Sequence, residues 1–544
     1  MAYSAMQSLL FEFVFLVLFI LGLVMLAQKL RLAYPIVLVL GGLALSFTGA
    51  FTNLEINPEV VFLIFLPPLL YEAAWQVSWK EFWKWRRVIA SFAFPIVILT
   101  ACVVALVSHA LIPGFTLALG FLLGGIVSPP DAISATAIMR QVKVPKVLLS
   151  VIEGESLLND ASSLMVFRFA LAAVLTGHFA FGEAVGSFFL VIGLGTLIGV
   201  GVGGVFYAIH RWLPTTPSID TVLSLVTPYC MYYAAEHFQY SGVLAVVSGG
   251  LLLSSQRNTM LTYRSRIEGV NVWTVLSFVF NGFIFLLIGL QLPTITRQLG
   301  ATSLGTAIGY GLLVSLALVV ARLLCALGAS LFTRVASHFI TVADANPGWK
   351  LPLVTGWAGM RGVVSLASAL AIPLLTPAGQ PFPFRNLILF ITFVVILVTL
   401  VLQGLTLPWL IRQLQLEDKF TTIPEERQEL LIQKKLAQQA LRYLDEQHPA
   451  DGPPNDFLHN LRARLQLDRQ FLTRSLDGAG EVPNDTLQQY QRFYLNALEQ
   501  QRTLLQQMNQ REEFDEEIIR KYLAILDLEE YKLREKQLQP AGAA

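Results

Sequence analysis

Long apolar runs recur along the first three quarters of the chain. A helix needs roughly 20 apolar residues to cross a bilayer, and about thirteen segments qualify. They are 8–28, 33–51, 57–78, 88–111, 115–140, 147–175, 183–209, 218–236, 240–256, 270–293, 304–332, 350–376 and 386–411. The runs are continuous and do not alternate polar with apolar, so they predict helices rather than barrel strands. Beyond residue 411 the pattern changes. Leu430, Ala437, Leu441 and Leu444 follow one another at helical spacing. Breaks at 450–454 and 478–483 divide this region, and its last stretch, 485–537, is amphipathic and rich in Gln, Glu and Leu. The pattern predicts an all-α polytopic membrane protein: a transmembrane domain over 1–411 and a helical cytoplasmic domain over 412–544.

Composition sharpens this picture. Of 544 residues, 55% are hydrophobic and 14% charged. Soluble domains carry about 25% charge, and the mean hydropathy here is +0.60. A soluble enzyme, a secreted disulfide scaffold and a disordered chain are poor fits. Residues 1–411 hold 20 Lys/Arg and 14 Asp/Glu, whereas residues 412–544 hold 18 and 23. Neither part has the dense basic patch that nucleic acid requires. Cys102, Cys230 and Cys325 lie in apolar runs with no metal-knuckle or redox spacing.

The loop charges give an orientation. No Lys or Arg precedes the first run, so it is expected to remain as a span rather than be cleaved as a signal. Loops after odd-numbered spans carry Lys29, Arg31, Lys80, Lys84, Arg86, Arg87, Lys143, Lys146, Arg211, Arg257, Arg264, Arg266 and Arg334. The opposite loops carry little beyond Arg297 and Arg385. Positive charge stays on the cytoplasmic side. The N-terminus is therefore expected outside and the C-terminal domain in the cytoplasm. Arg168 and Arg322 fall within spans, where a structural role is expected.

Ionisable groups inside the membrane are costly and mark a pathway or a partner. They concentrate in three places. In the fifth span, Gly124-Gly125-Ile126-Val127-Ser128-Pro129-Pro130-Asp131-Ala132 cannot form an unbroken helix. Its freed carbonyls and Asp131 offer oxygen to a small hard cation. In the sixth span, Glu153, Ser156 and Asp160 share one helical face, with Glu155 and Asn159 on an adjacent stripe. Glu153 lies ~10 Å nearer the cytoplasm and is a candidate for the entry funnel. In the twelfth span, glycines at 356, 359 and 362 weaken the helix around Arg361. That guanidinium stays charged and needs an anion, for which the sixth-span carboxylates are the candidates. The fifth and twelfth spans are seven apart. If spans 1–6 and 8–13 are two repeats, the repeats are inverted and the interrupted spans correspond, as in secondary transporters.

Four segments carry a family resemblance: Phe65-Leu66-Pro67-Pro68-Leu69-Leu70-Tyr71-Glu72-Ala73, Ser128-Pro129-Pro130-Asp131-Ala132, Glu155-Ser156-Leu157-Leu158-Asn159-Asp160 and Gly359-Met360-Arg361-Gly362. In this order they resemble the monovalent cation:proton antiporter-1 family, bacterial relatives of the sodium/proton exchangers, over most of 8–411. The resemblance implies a homodimer in the inner (cytoplasmic) membrane, two broken and crossing helices, and a mobile core beside a fixed dimerisation domain. It implies no cofactor, only transported Na⁺, Li⁺ or K⁺ and H⁺. Asp160 matches the cation- and proton-binding carboxylate, and Asp131 its support. Glu155, Ser156 and the Pro130 carbonyl match cation ligands, so the implied Na⁺ set is Asp160, Ser156, Glu155 and Pro130, with Asn159 beside it. Many relatives supply the backbone ligand from Thr; here Pro130 keeps the carbonyl and lacks the hydroxyl. Glu155 and Arg361 match a buried salt bridge.

The implied activity is Na⁺ (or Li⁺)/H⁺ antiport by competition at one carboxylate, serving pH and sodium homeostasis. Asn159 stands where a related class has a second Asp, which argues for electroneutral exchange. K⁺/H⁺ exchange by the same residues is the alternative. A cation channel is a more distant one, because it leaves the two interrupted spans unexplained. An intramembrane aspartyl protease using Asp131 and Asp160 lacks a Gly-x-Gly-Asp motif. A sensor with a dead site conflicts with the full ligand set. The tail reads as a solvated helical bundle or, alternatively, as a regulatory or dimer-contacting domain.

Overall fold

The computed structural model describes residues 2–48, 58–139, 142, 144–178, 181–297, 299, 302–339, 342, 344, 347–416, 418, 420, 423–448, 455–477, 484–510 and 515–535. The chain divides into two compact units, Met1–Asp418 and Lys419–Ala544. The described residues are helical with no named strand.

The first unit opens with α1 (Ala2–Leu30), α2 (Tyr34–Ser46), α3 (Pro58–Gln76) and α4 (Trp79–Ser91). A π-helical turn, Phe92–Ile96, joins α4 to α5 (Val97–Leu111). Next come α6 (Leu117–Val127), α7 (Ala132–Met139), α8 (Lys146–Thr176), α9 (Phe181–Trp212), α10 (Pro217–His237) and α11 (Gly242–Met260). They are followed by α12 (Tyr263–Leu290), α13 (Leu292–Arg297), α14 (Leu304–Ala336), α15 (Lys350–Trp357), α16 (Val363–Leu370) and α17 (Arg385–Val398). A second π-helical turn, Thr399–Gln403, leads into α18 (Gly404–Leu414).

Among the described residues, eight helices are long and apolar enough to cross a membrane. They are Phe11–Leu30, Trp79–Leu111, Leu117–Met139, Lys146–Thr176, Val185–Trp212, Tyr263–Arg297, Leu304–Ala336 and Arg385–Leu414. The other expected segments coincide with α2, α3, α10, α11 and the interrupted pair α15–α16. Both expected interruptions are present. The chain leaves helical geometry between α6 and α7, where Pro129 and Pro130 have no amide hydrogen, and between α15 and α16, around Arg361.

Close packing places these breaks. A Cβ on Gly124 would lie 2.5 Å from the Ala101 carbonyl oxygen of α5, and one on Gly125 would lie 2.8 Å from the Phe167 amide of α8. Helix α6 is thus wedged between α5 and α8, and its start is capped by the Thr116 hydroxyl, which accepts from Leu119 N. Apolar side chains fill the surrounding core. Yet the two largest fully buried side chains among the described residues are Arg322 and Arg361.

The second unit holds α19 (Glu425–Gln447), α20 (Asp456–Asp477), α21 (Asn484–Met508) and α22 (Glu516–Glu535). Ala437, Leu441 and Leu444 are buried on α19 and Leu430 is half-buried, so the expected stripe is the packed face. Arg462 of α20 donates to the His448 carbonyl and meets Asp445 at 3.0 Å. Arg502 of α21 meets Asp527 at 2.7 Å and Glu530 at 2.8 Å on α22. The breaks expected at 450–454 and 478–483 lie outside the described residues.

Candidate functional site

The break after α6 is an exchange of hydrogen-bond partners. In a continuous helix, Asp131 N would donate to Val127 O and Ala132 N to Ser128 O. Instead Asp131 N donates across to Met360 O at 2.7 Å, and Ala132 N donates to Ser156 Oγ at 3.3 Å. The two carbonyls left behind accept from Arg361: Nε to Val127 O at 2.8 Å and Nη2 to Ser128 O at 3.3 Å. Each interruption therefore satisfies the other's backbone, as burial demands. Arg361 also sits at the negative end of α6, where a cation is favoured. Its Nη1 donates to Gly359 O, and its backbone N donates to Thr399 Oγ1 at 3.2 Å.

Asp131 begins α7. Its Oδ1 accepts from Ile133 N at 3.0 Å and its Oδ2 accepts from the Ser134 hydroxyl at 3.1 Å. This is an acidic cap on a helix N-terminus. Gly362 lies directly against this carboxylate, and any Cβ there would strike Oδ2.

Helix α8 runs past the crossing. Asn159 Nδ2 donates to Pro130 O at 2.8 Å, while Asn159 Oδ1 is buried with no partner among the described residues. Together with Ser156, Asn159 stitches α8 to the α6–α7 break. Asp160 is 6% exposed, and Asp131 acts on it electrostatically. Among the described residues, no group donates a hydrogen bond to the Asp160 carboxylate. Glu153 and Ser156, on the same face, are half-buried, whereas Glu155 and Asn159 are fully buried. Glu153 and Ser156 thus stand apart from the enclosed Glu155 and Asn159, while Asp160, on the first face, is itself buried.

One expectation is corrected. Glu155 pairs with Arg322, not with Arg361. Arg322 Nη1 and Nη2 donate to Oε1 and Oε2 at 2.8 and 2.9 Å. The pair is fork-on-fork and buried on both sides. The reason is spatial: Arg361 is committed to the carbonyls at the end of α6, while α14 carries Arg322 to α8. Gly359 clears the way, since a Cβ there would collide with Arg322 Nε. Both Glu155 oxygens are occupied by this partner, so Glu155 acts here as a structural anion and does not stand open as a cation ligand. Arg168 is paired too, with Nη2 donating to both Glu236 oxygens at 2.9 Å.

The structure therefore brings Pro130, Asp131, Ser156, Asn159, Asp160 and Arg361 to one crossing, with Glu155 beside it and Glu153 two turns along α8. Reading the sequence missed Arg322 as the partner of Glu155, although its burial within an apolar span signalled that it needed an anion. It also missed Thr399, one of three threonines in the run 386–411 with Thr392 and Thr406, because a hydroxyl in an apolar run carries no such signal. Among the described residues, no three His, Cys, Asp or Glu side chains converge as a metal cluster.

Residues 15–413 match the family model described as sodium/hydrogen exchanger, transmembrane. An uncharacterized Na⁺/H⁺ exchanger of Mycobacterium tuberculosis is 31% identical over 526 residues, 95% of this chain and 94% of its own. A sodium, potassium, lithium and rubidium/H⁺ antiporter of Bacillus pumilus is 30% identical over 501 residues, 89% of this chain and 72% of its own. The solved sodium proton antiporter of Methanocaldococcus jannaschii matches with a TM-score of 0.58 at 18% identity, over 75% of this chain and 100% of that one. At that identity the likeness is one of fold.

Proposed function

Since this chain belongs to the sodium/hydrogen exchanger family, a family of transporters and not enzymes, we propose that it is a secondary antiporter exchanging Na⁺ or Li⁺ for H⁺ by alternating access. The observation that carries this reading is the Asp160 carboxylate. It lies beside the crossed breaks, 6% exposed, and among the described residues no donor meets it, so its oxygens stay open to an incoming proton or cation. A carboxylate held this way accepts a proton or a cation, but not both at once.

Oxygen suits a small hard cation. Ser156 Oγ, the unpartnered Asn159 Oδ1 and the second lone pair of Pro130 O join Asp160 as its ligands, and Asp131 lends negative charge. Both loaded forms let the core move and the empty anion does not. That rule couples the two fluxes in opposite directions. Asn159 adds no second charge, so exchange is electroneutral, one proton per cation.

The family resemblance and the loop charges support thirteen spans with the N-terminus outside and the C-terminal domain in the cytoplasm. They also support inverted repeats over spans 1–6 and 8–13, a homodimer in the cytoplasmic membrane, and a role in pH and sodium homeostasis. K⁺/H⁺ exchange is the second reading, favoured by the name of the Bacillus pumilus relative. A proteoliposome dequenching assay comparing Na⁺, Li⁺ and K⁺ across pH separates the two. Flux without counter-flow of protons would overturn both.

A further inference from the structure

The helix Trp79–Leu111 spans 33 residues, about 50 Å at 1.5 Å per residue, against a hydrocarbon core of about 30 Å. Its apolar run begins near Val88, a turn before the π-helical stretch. Residues 79–87, Trp-Lys-Glu-Phe-Trp-Lys-Trp-Arg-Arg, therefore extend past the acyl region. Phe82, Trp85 and Ile89 form the buried face. Trp79, Lys80, Trp83, Lys84, Arg86 and Arg87 are exposed. Trp79 and Trp83 stack at 5.7 Å, and the Arg86 guanidinium lies 4.6 Å from the Trp83 ring centroid. Four cations stand against a single acid, Glu81, which accepts from Trp85 Nε1. Exposed indoles beside Lys and Arg at headgroup depth are suited to lipid, and the surplus charge suits an anionic one.

We propose that Trp79, Lys80, Trp83 and Arg86 form a binding site for an anionic phospholipid headgroup, and that its occupancy tunes the exchanger. The coupling runs through packing. Ile89, on the buried face, fills the notch at Gly154, where a Cβ would lie 2.6 Å from Ile89 Cδ1. Gly154 stands between Glu153 and Glu155, on the helix that bears Asp160. About one turn past Ile89, Ala93 O accepts from the Ser162 hydroxyl of α8 at 2.5 Å, roughly two turns beyond Gly154. A headgroup that fixes 79–91 therefore fixes the register of α4 and the following turn against the helix carrying the ion site. The coupling to transport rests on the antiport reading; the lipid site does not.

Two measurements on the full chain test this. In nanodiscs, brominated phosphatidylglycerol should quench tryptophan fluorescence beyond brominated phosphatidylcholine, and Trp79→Phe/Trp83→Phe should remove the excess. Lys80→Gln/Arg86→Gln should weaken phosphatidylglycerol binding about tenfold or more, whereas Lys80→Arg should retain it. In proteoliposomes, phosphatidylglycerol should raise the exchange rate of the native chain and not that of Lys80→Gln/Arg86→Gln, with the two equal in pure phosphatidylcholine. Equal quenching by both lipids, or an undiminished lipid response in the Gln pair, would overturn the proposal. So would an effect of soluble glycerol phosphate matching that of the lipid, which would make this a site for free phosphate. Selective quenching by a protein that exchanges no cation would uphold the lipid site and count against antiport.

Discussion

Arg322 and Glu155 close on each other through two parallel hydrogen bonds, with both side chains removed from solvent. Breaking a buried pair by removing one member leaves an uncompensated charge, at a cost of about 3–5 kcal/mol. Arg322→Ala should therefore lower thermal stability in detergent sharply, and Glu155→Gln added to it should recover much of the loss. Arg361→Ala should also destabilise, because it strands Val127 O and Ser128 O, but Glu155→Gln should bring it no relief. Equal rescue of both arginine variants would refute the assignment of partners.

The glycines of the twelfth span separate in the same way. Gly362→Ala pushes on the Asp131 carboxylate and Gly359→Ala on the Arg322 side chain. Overpacking of this kind costs about 1–3 kcal/mol. Gly362→Ala should lose exchange in proteoliposomes, and Gly359→Ala should mainly lose thermal stability. Gly193, with nothing within 4 Å of an added Cβ, should tolerate Ala in both assays.

At the ion site, Asp160→Asn should abolish cation-driven dequenching while the protein elutes as the native chain does on size exclusion. Asn159→Ala removes the hydrogen bond to Pro130 O, and leaving that carbonyl unpartnered costs about 1–3 kcal/mol. It should reduce both stability and apparent cation affinity. Normal exchange in Asp160→Asn would remove this carboxylate from the mechanism.

Electroneutrality is checked separately. An imposed membrane potential should leave the initial rate of Na⁺/H⁺ exchange unchanged. A rate that follows the sign of the potential would require another titrating group among Asp131, Glu153 and Glu155.

The C-terminal unit has its own pH dependence. Arg502, and after it Arg534, hold the Glu530 carboxyl below its usual value of 4.5. The folded form is thus favoured above pH 4.5, and that contribution is lost as pH falls through the lowered value. The groups are near the surface, so the effect is small and screened by salt. Amide protection in 484–508 and 516–535 of the full chain, taken relative to the intrinsic exchange rate at each pH, should fall as pH drops below 4.5, and Arg502→Ala should show the lower protection already at pH 7. Identical exchange in the two proteins at pH 7 would dismiss the Arg502 network as a clasp.

Much of the fold was legible because its causes are local. Uninterrupted apolar runs mark helices by length, Pro129 and Pro130 remove two amide donors and so mark a weak point, and a 3.6-residue period puts Ser156 and Asp160 on one face without reference to any neighbour. Proline alone does not fix a break, since the pair Pro67-Pro68 stays inside α3. The same period sets half-buried Glu153 and Ser156 apart from enclosed Glu155 and Asn159. What lay beyond the sequence is which distant groups meet. Arg322 and Arg361 are equally charged and equally costly to bury, and nothing in their surroundings along the chain says which one finds Glu155. Helix packing decides that: α14 brings Arg322 past Gly359 to α8, while the crossing of the two breaks commits Arg361 to the carbonyls of Val127 and Ser128. The scarce charges and the weak points of the helices are written along the chain. How those charges and loose backbone ends satisfy one another is a matter of packing, because a pairing depends on distance in space and not on position in the chain.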